Sequence, residues 1–316
     1  MSELDPFDEK LPEDHRSGVI AVVGRPNVGK STLINRILGQ KIAIVSPKPQ
    51  TTRKQQLGIY STEHGQILFV DTPGLHKPQT KLGEFMVQTA EMALKDADVI
   101  LWVLDVSEEP QAGDKYIAET LTKLRGDTPV VLALNKADAL KPEERDAHAA
   151  AHKALIEHQD ARLISAQNGD GVDELVAYLL EQMPQGPRYY PADQLTEVNM
   201  RFVAAEVVRE KIILHTEQEI PHSVAVEVVE YKEREKGKHF ISAVIYVERD
   251  SQKGIIIGKS GAMLKQIGME ARQELRDMLD TDVYLELHVT VQKNWRGDEQ
   301  FMRRLGYRIA KDQEQE

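Results

Sequence analysis

One octapeptide near the N-terminus constrains the fold more than any other stretch: Gly24-Arg25-Pro26-Asn27-Val28-Gly29-Lys30-Ser31. It stands between a short apolar run, Val19 to Val23, and a helical pattern from Ser31 to Leu38. A strand, a glycine turn and a helix in that order form the start of a parallel β-α-β unit. The pattern G-x-x-x-x-G-K-[ST] lets backbone N–H groups wrap a phosphate at a helix N-terminus, where the helix dipole favours an anion. Lys30 then reaches the β- and γ-phosphates, and the Ser31 hydroxyl, followed by Thr32, faces Mg²⁺.

Further short apolar runs follow at Ile67 to Val70, Val99 to Asp105 and Val130 to Asn135, with a brief last one at Leu163 and Ile164. Each ends in a turn or helix signal, which predicts a mostly parallel sheet with helices on both faces. Continuous apolar runs suit strands covered on both sides. The pattern changes near residue 184, where MPQGPRYYPAD carries three prolines and a glycine and reads as a linker. The expected division is a flexible acidic tail over 1–16, a first domain over 17–182, a linker over 183–197 and a second domain over 198–316. A chain of 316 residues is long enough for two cores.

Composition removes several alternatives. There is no cysteine, which excludes a disulfide scaffold, thiol catalysis and cysteine-ligated zinc. The histidines show no metal-ligand spacing. A net charge of −11 argues against binding polyanions by bulk attraction, while leaving room for a local basic groove. No apolar run reaches the ~18 residues of a membrane helix. The acidic, polar opening MSELDPFDEKLPEDHR is unlike a signal peptide, so a cytoplasmic protein is expected.

Three more motifs follow the glycine loop in order. Asp71-Thr72-Pro73-Gly74 ends the Ile67–Val70 strand. A carboxylate there holds Mg²⁺ directly or through water, and the Gly74 N–H meets a γ-phosphate. Asn135-Lys136-Ala137-Asp138 stands at the carboxyl edge of another strand. A carboxylate there accepts both the N1–H and the exocyclic N2–H of guanine, a pair that adenine lacks. Ser165-Ala166-Gln167 follows the last strand and supports the base through its backbone. Thr51 and Thr52 lie between the first two motifs, and a threonine hydroxyl there completes the Mg²⁺ shell and folds a switch segment over the nucleotide.

These boxes in this order resemble those of the translation-factor-type GTPases, and GRPNVGKS with QTTR and DTPG is similar to the branch that holds the Era family. The resemblance covers about residues 17–182 and implies an α/β P-loop GTPase domain that binds GTP and GDP. It favours Thr52 over Thr51 as the metal ligand. Leu75 stands after DTPG, where signalling GTPases place a glutamine to orient water, so intrinsic hydrolysis is expected to be slow or assisted. Relatives with asparagine at the position of Asn27 use it to ligate K⁺. Lys30, Asn27, Thr52 and Gly74 are therefore the expected catalytic set, and the motif residues from Gly24 to Gln167, Leu75 included, the nucleotide contacts.

The second half reads differently. Val198 to Leu214 has helical spacing, Val224, Val226 and Val228 alternate, and so does Phe240 to Val247. Lys236-Gly237 makes a hairpin turn between them. Val283, Leu285, Leu287, Val289 and Val291 give a half-buried strand. Between these lies Gly258-Lys259-Ser260-Gly261, flanked by two helical segments. Bare glycines let an RNA backbone approach, Lys259 supplies charge, and apolar neighbours such as Ile257 line a groove for four unpaired nucleotides. A lone GxxG is equally a tight helix–helix turn. The order helix, strand, strand, helix, helix, strand resembles the α+β type II KH domain over about 200–292. Lys253, Lys259, Lys265 and Arg272 are expected on one face. In the closing KNWRGDEQFMRRLGYR, Phe301, Leu305 and Ile309 read as a packed helix face, and Trp295 and Arg296 as RNA contacts.

The resemblance of the whole chain implies binding to the 3′ end of 16S rRNA, a role in maturing the 30S subunit, and peripheral contact with the inner membrane; no obligate oligomer is expected. The expected mechanism is a GTP-gated RNA clamp. Two alternatives stay open on the sequence. One is an RNA-binding protein whose nucleotide is structural; the other is a GTPase of tRNA modification or protein partners whose KH-like domain dimerises.

Overall fold

The computed structural model describes residues 11–41, 43, 52–75, 80–196, 199–234 and 238–307. The chain forms two compact units that part near residue 197. Its first half runs β1 (Arg16–Val23), α1 (Lys30–Leu38), β2 (Gln56–Ser61), β3 (Gly65–Asp71), α2 (Lys81–Lys95), β4 (Val99–Asp105), α3 (Ala112–Leu124), β5 (Val130–Asn135), α4 (Pro142–Lys153), β6 (Asp160–Leu163) and α5 (Val172–Glu181). The sheet order is β2-β3-β1-β4-β5-β6, with β2 antiparallel to β3 and every other pair parallel.

Strand β1 shows why this sequence gives a two-sided layer. Ala21 and Val23 point to one face, into a cluster with Trp102, Ala90 of α2 and Ile117 of α3. Ile20 and Val22 point to the other, against Leu33 and Ile34 of α1 and Leu175 of α5. Side chains alternate along a strand, so a strand covered by helices on both faces must be apolar at every position. All four residues are fully buried. The neighbours of β1 are β3 and β4, so the chain switches direction at its carboxyl end. Open parallel sheets bind ligands in that crevice.

The sequence reading omits β2. Leu57 and Ile59 alternate with smaller or polar residues, and the turn to β3 is closed by Thr62, whose N–H donates to Gly65 O at 2.8 Å. A threonine-closed turn carries no Asn-Gly signature. The proline-rich segment after α5 is pinned to the first unit rather than free. Ser17 N donates to Pro184 O (2.9 Å), Gly186 N to His15 O (3.0 Å), and Ile59 N to Leu195 O (2.8 Å). Gln66 Oε1 accepts from Tyr189 N and Tyr190 N. The Ile59–Leu195 bond, with Thr196 Oγ1 donating to Leu57 O at 2.7 Å, satisfies the edge of β2, which otherwise offers unpaired backbone groups. Of the expected tail over 1–16, residues 1–10 lie outside the described residues, and His15 is buried against Gly186 O.

The second half runs α6 (Met200–His215), α7 (Ile220–Ser223), β7 (Ala225–Glu233), β8 (His239–Val247), α8 (Asp250–Ile257), α9 (Ala262–Leu279), β9 (Val283–Val291) and α10 (Glu299–Arg304). Apart from the short α7 and α10, this is the expected element order. Asn199 caps α6 by accepting from Phe202 N at 2.9 Å. β8 is central, antiparallel to β7 and parallel to β9. Val208 and Ile212 of α6, Ile241 and Ile245 of β8, Ile256 of α8 and Ile267 of α9 make its core.

Candidate functional site

At the carboxyl end of β1, the glycine loop turns into α1 with Lys30 as the first helical residue. Lys30 is buried, and its Nζ donates to Gly24 O and Arg25 O, both at 3.0 Å. Burial lowers its pKa to about 8, against the pull of nearby Asp71 and with Arg25 adding to the drop. A buried ammonium satisfied by two carbonyls is poised for an anion. Ser31 Oγ donates to Asp71 Oδ2 at 2.8 Å, and Thr52 Oγ1 lies 3.2 Å from Ser31 Oγ and 3.4 Å from Asp71 Oδ2. Burial pushes the Asp71 carboxyl up, while Lys30 and the two hydroxyls pull it down. Asp71 Oδ1 is buried with no hydrogen-bond partner among the described residues. Two hydroxyls and a carboxylate with a spare oxygen are the donor set of a hard divalent cation that takes its remaining ligands from phosphate and water. Thr51 lies outside the described residues.

The base side is built around Asn135, at the end of β5. Its Nδ2 donates to Val28 O at 2.7 Å, and its Oδ1 accepts from Ala166 N at 2.9 Å. One buried amide thus joins the phosphate loop to Ser165-Ala166-Gln167. Gly29 sits at φ 101°, and a Cβ there would lie 2.3 Å from Asn135 Nδ2. Ala137 N donates to Ile164 O at 3.1 Å, and Asp138 is left exposed at the mouth. Thr72 Oγ1 donates to Val22 O at 2.8 Å, and Gly74 packs on Pro26. The four motifs therefore meet in one crevice. Leu75, which follows the DTPG motif, is 2% exposed and turns its side chain into the core beside Val23 and Val70.

Sequence reasoning missed Asp105, the last residue of β4. It accepts from Lys136 Nζ at 2.5 Å and from Ser107. Burial opposes its charge, but these donors hold its carboxyl below the ordinary range. Its place at the carboxyl end of an apolar strand was the available signal.

In the second unit, Gly258 to Gly261 joins α8 to α9, with Ser260 at φ 51° and Gly261 at φ 79°. Lys259 and Ser260 are exposed, and Ile257 is half-buried. A groove of about 540 Å³ opens beside the loop, walled by Gly261, Leu264, Lys265, Gly268, Met269 and Arg272 on one side and Leu285 and Leu287 of β9 on the other. Its floor is apolar and its rim basic.

Trp295 is not part of that surface. It is fully buried, donates from Nε1 to Ser223 O at 2.7 Å and stacks on Tyr307. An indole with its N–H satisfied inside the core has no face left for a base. Arg296 pairs with Glu248 at 2.5 Å, which commits its charge within the unit. Phe301 meets Tyr246 edge-on and Leu305 is buried, as the packing reading expects, while Ile309 lies outside the described residues.

The chain matches two domain families in sequence, a 50S ribosome-binding GTPase family over residues 19–136 and a KH domain family over residues 219–296. It is 47% identical to GTPase Era of Carboxydothermus hydrogenoformans over 294 residues, covering 93% of this chain and 98% of that one. The identity to GTPase Era of Lacticaseibacillus paracasei is 48% over 294 residues, covering 93% and 97%. Among solved structures it is similar to Aquifex aeolicus Era bound to GDP and AlF4⁻, with TM-score 0.85, 39% identity and coverage of 92% and 99%. It is equally similar to Era in complex with MgGDPNP and nucleotides 1506–1542 of 16S ribosomal RNA, with TM-score 0.85, 39% identity and coverage of 93% and 99%. With a GTP site and a KH fold in the same order, and identity of this level along nearly its full length, the chain belongs to the Era family of GTPases.

Proposed function

We propose that this GTPase is a nucleotide-gated clamp for the 3′ end of 16S rRNA that assists maturation of the 30S subunit. The observation that carries the reading is the open, basic-rimmed groove beside Gly258–Gly261 on the same chain as a complete guanine-nucleotide crevice. Support comes from the relative solved with MgGDPNP and a 16S fragment. We assign the RNA contacts to Ile257, Gly258, Lys259, Ser260, Gly261 and Lys265. The groove takes unpaired bases on its apolar floor while the glycine loop meets the backbone.

On the nucleotide side, Lys30 and the backbone N–H groups of the loop bind the phosphates and stabilise charge as water attacks. Asp138 reads the guanine edge. Ser31, Thr52 and Asp71 are the residues that would hold Mg²⁺, which supplies charge neutralisation between the β- and γ-phosphates when bound. Asn27, in a left-handed conformation at φ 68°, is the proposed K⁺ ligand. Hydrolysis faster in K⁺ than in Na⁺ supports that assignment, and equal rates remove it. The chain is assigned to the cytoplasm. Peripheral contact with the inner membrane rests on the family resemblance alone.

Fluorescence anisotropy tests the clamp. The probe is the single-stranded 16S 3′ tail with a scrambled control, titrated with a non-hydrolysable GTP analogue, with GDP and without nucleotide at two salt concentrations. Selective binding with the analogue alone is expected. Equal binding in all three states overturns the gating, and no selective binding overturns the RNA groove.

A further inference from the structure

The motif places Arg25 among the nucleotide contacts, but its side chain goes elsewhere. Arg25 Nε donates to Asp114 Oδ1 at 2.8 Å, and a terminal nitrogen donates to Glu108 Oε1 at 2.6 Å. Asp114 is fully buried in the first turn of α3, and its other oxygen accepts from Gln111 N at 2.9 Å, closing the helix cap. The Arg25 stem lies across Gly113, where a Cβ would stand 2.7 Å from Arg25 Cδ. The main chain of Arg25 faces the other way, its carbonyl accepting from Lys30 Nζ at 3.0 Å. One residue links α3, by its side chain, to the phosphate lysine, by its backbone.

We propose that Arg25, Asp114 and Glu108 form a latch between the phosphate loop and α3 that sets how long a nucleotide stays bound. Arg25 is then a positioning residue, not a cation presented to the γ-phosphate; this rests on the crevice being the nucleotide site. A loop that binds by its own peptide groups is effective only if those peptides are fixed beforehand. A planar guanidinium held by two carboxylates fixes one of them in orientation as well as place. Buried Asp114 has no solvent to turn to, so the pair resists opening. The Arg25 carbonyl orients Lys30 whichever nucleotide is present, so loosening the latch releases GDP and GTP alike. A cation that acted on the transition state would instead slow hydrolysis and leave affinity unchanged.

The test is stopped-flow release of fluorescent GDP from the full-length protein, beside single-turnover hydrolysis. Arg25→Ala is expected to raise the off-rate about tenfold, a coupling of ordinary size, with a larger effect on release than on hydrolysis. Arg25→Lys recovers part of the loss, because an ammonium reaches one carboxylate but cannot fork to both. Glu108→Ala, at the more exposed arm, raises release about threefold, and adding it to Arg25→Ala changes little further, the sign of a shared interaction. A wild-type off-rate in folded Arg25→Ala overturns the latch. So does a hundredfold loss of hydrolysis at unchanged release, which makes Arg25 a catalytic cation. If circular dichroism shows Arg25→Ala unfolded, wild-type release in both Arg25→Lys and Glu108→Ala overturns it. Failure of the wild-type protein to bind GDP overturns the nucleotide site itself and the latch with it.

Discussion

The chain uses a glycine loop twice and builds the two in opposite ways. At Gly24–Ser31 the protein closes in: Lys30 is buried, and Gly29 must lack a side chain because the Asn135 amide lies where its Cβ would go. At Gly258–Gly261 only the first glycine is enclosed, with a Cβ there standing 2.7 Å from Met263 Cβ, and from Lys259 to Gly261 the protein opens out. Lys259 is exposed, and no atom lies within 4 Å of a Cβ on Gly261, which needs glycine only for its φ of 79°. The first loop is shaped by the protein's own interior, held by Asn135 and by the Lys30 bonds to its carbonyls. The second is one edge of a groove, completed by the polymer that fills it. A small ligand with concentrated charge suits preorganised donors; a strand with charge spread along it suits many weak contacts.

The largest effect that contrast predicts is from Lys30→Met. Methionine fills the space and keeps the fold, but the phosphates lose a buried, charge-assisted donor. The Kd for GDP, measured by fluorescent-nucleotide titration, is expected to rise about a hundredfold or more. A loss below tenfold would show that backbone groups alone make the site, and the contrast with the second loop would shrink.

Alanine at one glycine of each loop comes next. Gly29→Ala forces the Asn135 amide away from Val28 and Ala166 and is expected to cost about 3 kcal/mol. Gly261→Ala carries only the left-handed backbone penalty, about 1 kcal/mol. Gly261→Asn should cost less still, because asparagine tolerates that region. Differential scanning calorimetry reads both; equal costs would mean that Gly261 is as enclosed as Gly29.

How much of this was legible in the sequence follows from the range of each interaction. The phosphate loop, the DTPG turn and the guanine motif are local patterns, and the continuous apolar runs before them announced the parallel sheet. The latch was not legible, because Arg25 and Asp114 stand 89 residues apart and meet only once α3 crosses the sheet. Asp105 is 31 residues from Lys136 and needed the pairing of β4 with β5 to bring them side by side. Trp295 misled for a similar reason. An aromatic beside arginines fits a stacking platform and a core equally well, and a carbonyl 72 residues away decides between them. β2 was missed locally, since its turn lacks the residues that usually mark a hairpin.

Lys30 also predicts a pH dependence. Its pKa is lowered to about 8 from the ordinary 10.5, mainly by burial. A bound phosphate raises it again, so binding above pH 8 takes up a proton. Affinity for GDP is therefore expected to fall as pH rises above about 8, by at most about tenfold per unit. The sign for stability is the reverse. Between pH 8 and 10.5 the unfolded chain holds more protons on this lysine, so its burial destabilises the fold less as pH rises. Calorimetric titration at pH 9 in buffers of different ionisation heat reads the proton directly. No uptake would mean that Lys30 stays charged without ligand, and that the loop is wetter than its burial implies.

The smallest effect belongs to Lys259→Ala. This side chain is exposed at the tip of the second loop. It has the reach for one phosphate and no fixed geometry toward a base edge. Its loss is expected to weaken RNA binding about threefold at moderate salt, equally for the 16S tail and the scrambled control. The slope of log K against log salt should become shallower by about 0.7, the share of one phosphate contact on a single strand. Anisotropy over a salt series separates the possibilities. An unchanged slope removes Lys259 from the RNA surface. A loss above tenfold, or one confined to the 16S tail, would mean that Lys259 is held in place to read sequence. The open loop would then be as preorganised as the closed one, and the difference between them would lie in the ligand rather than in the protein.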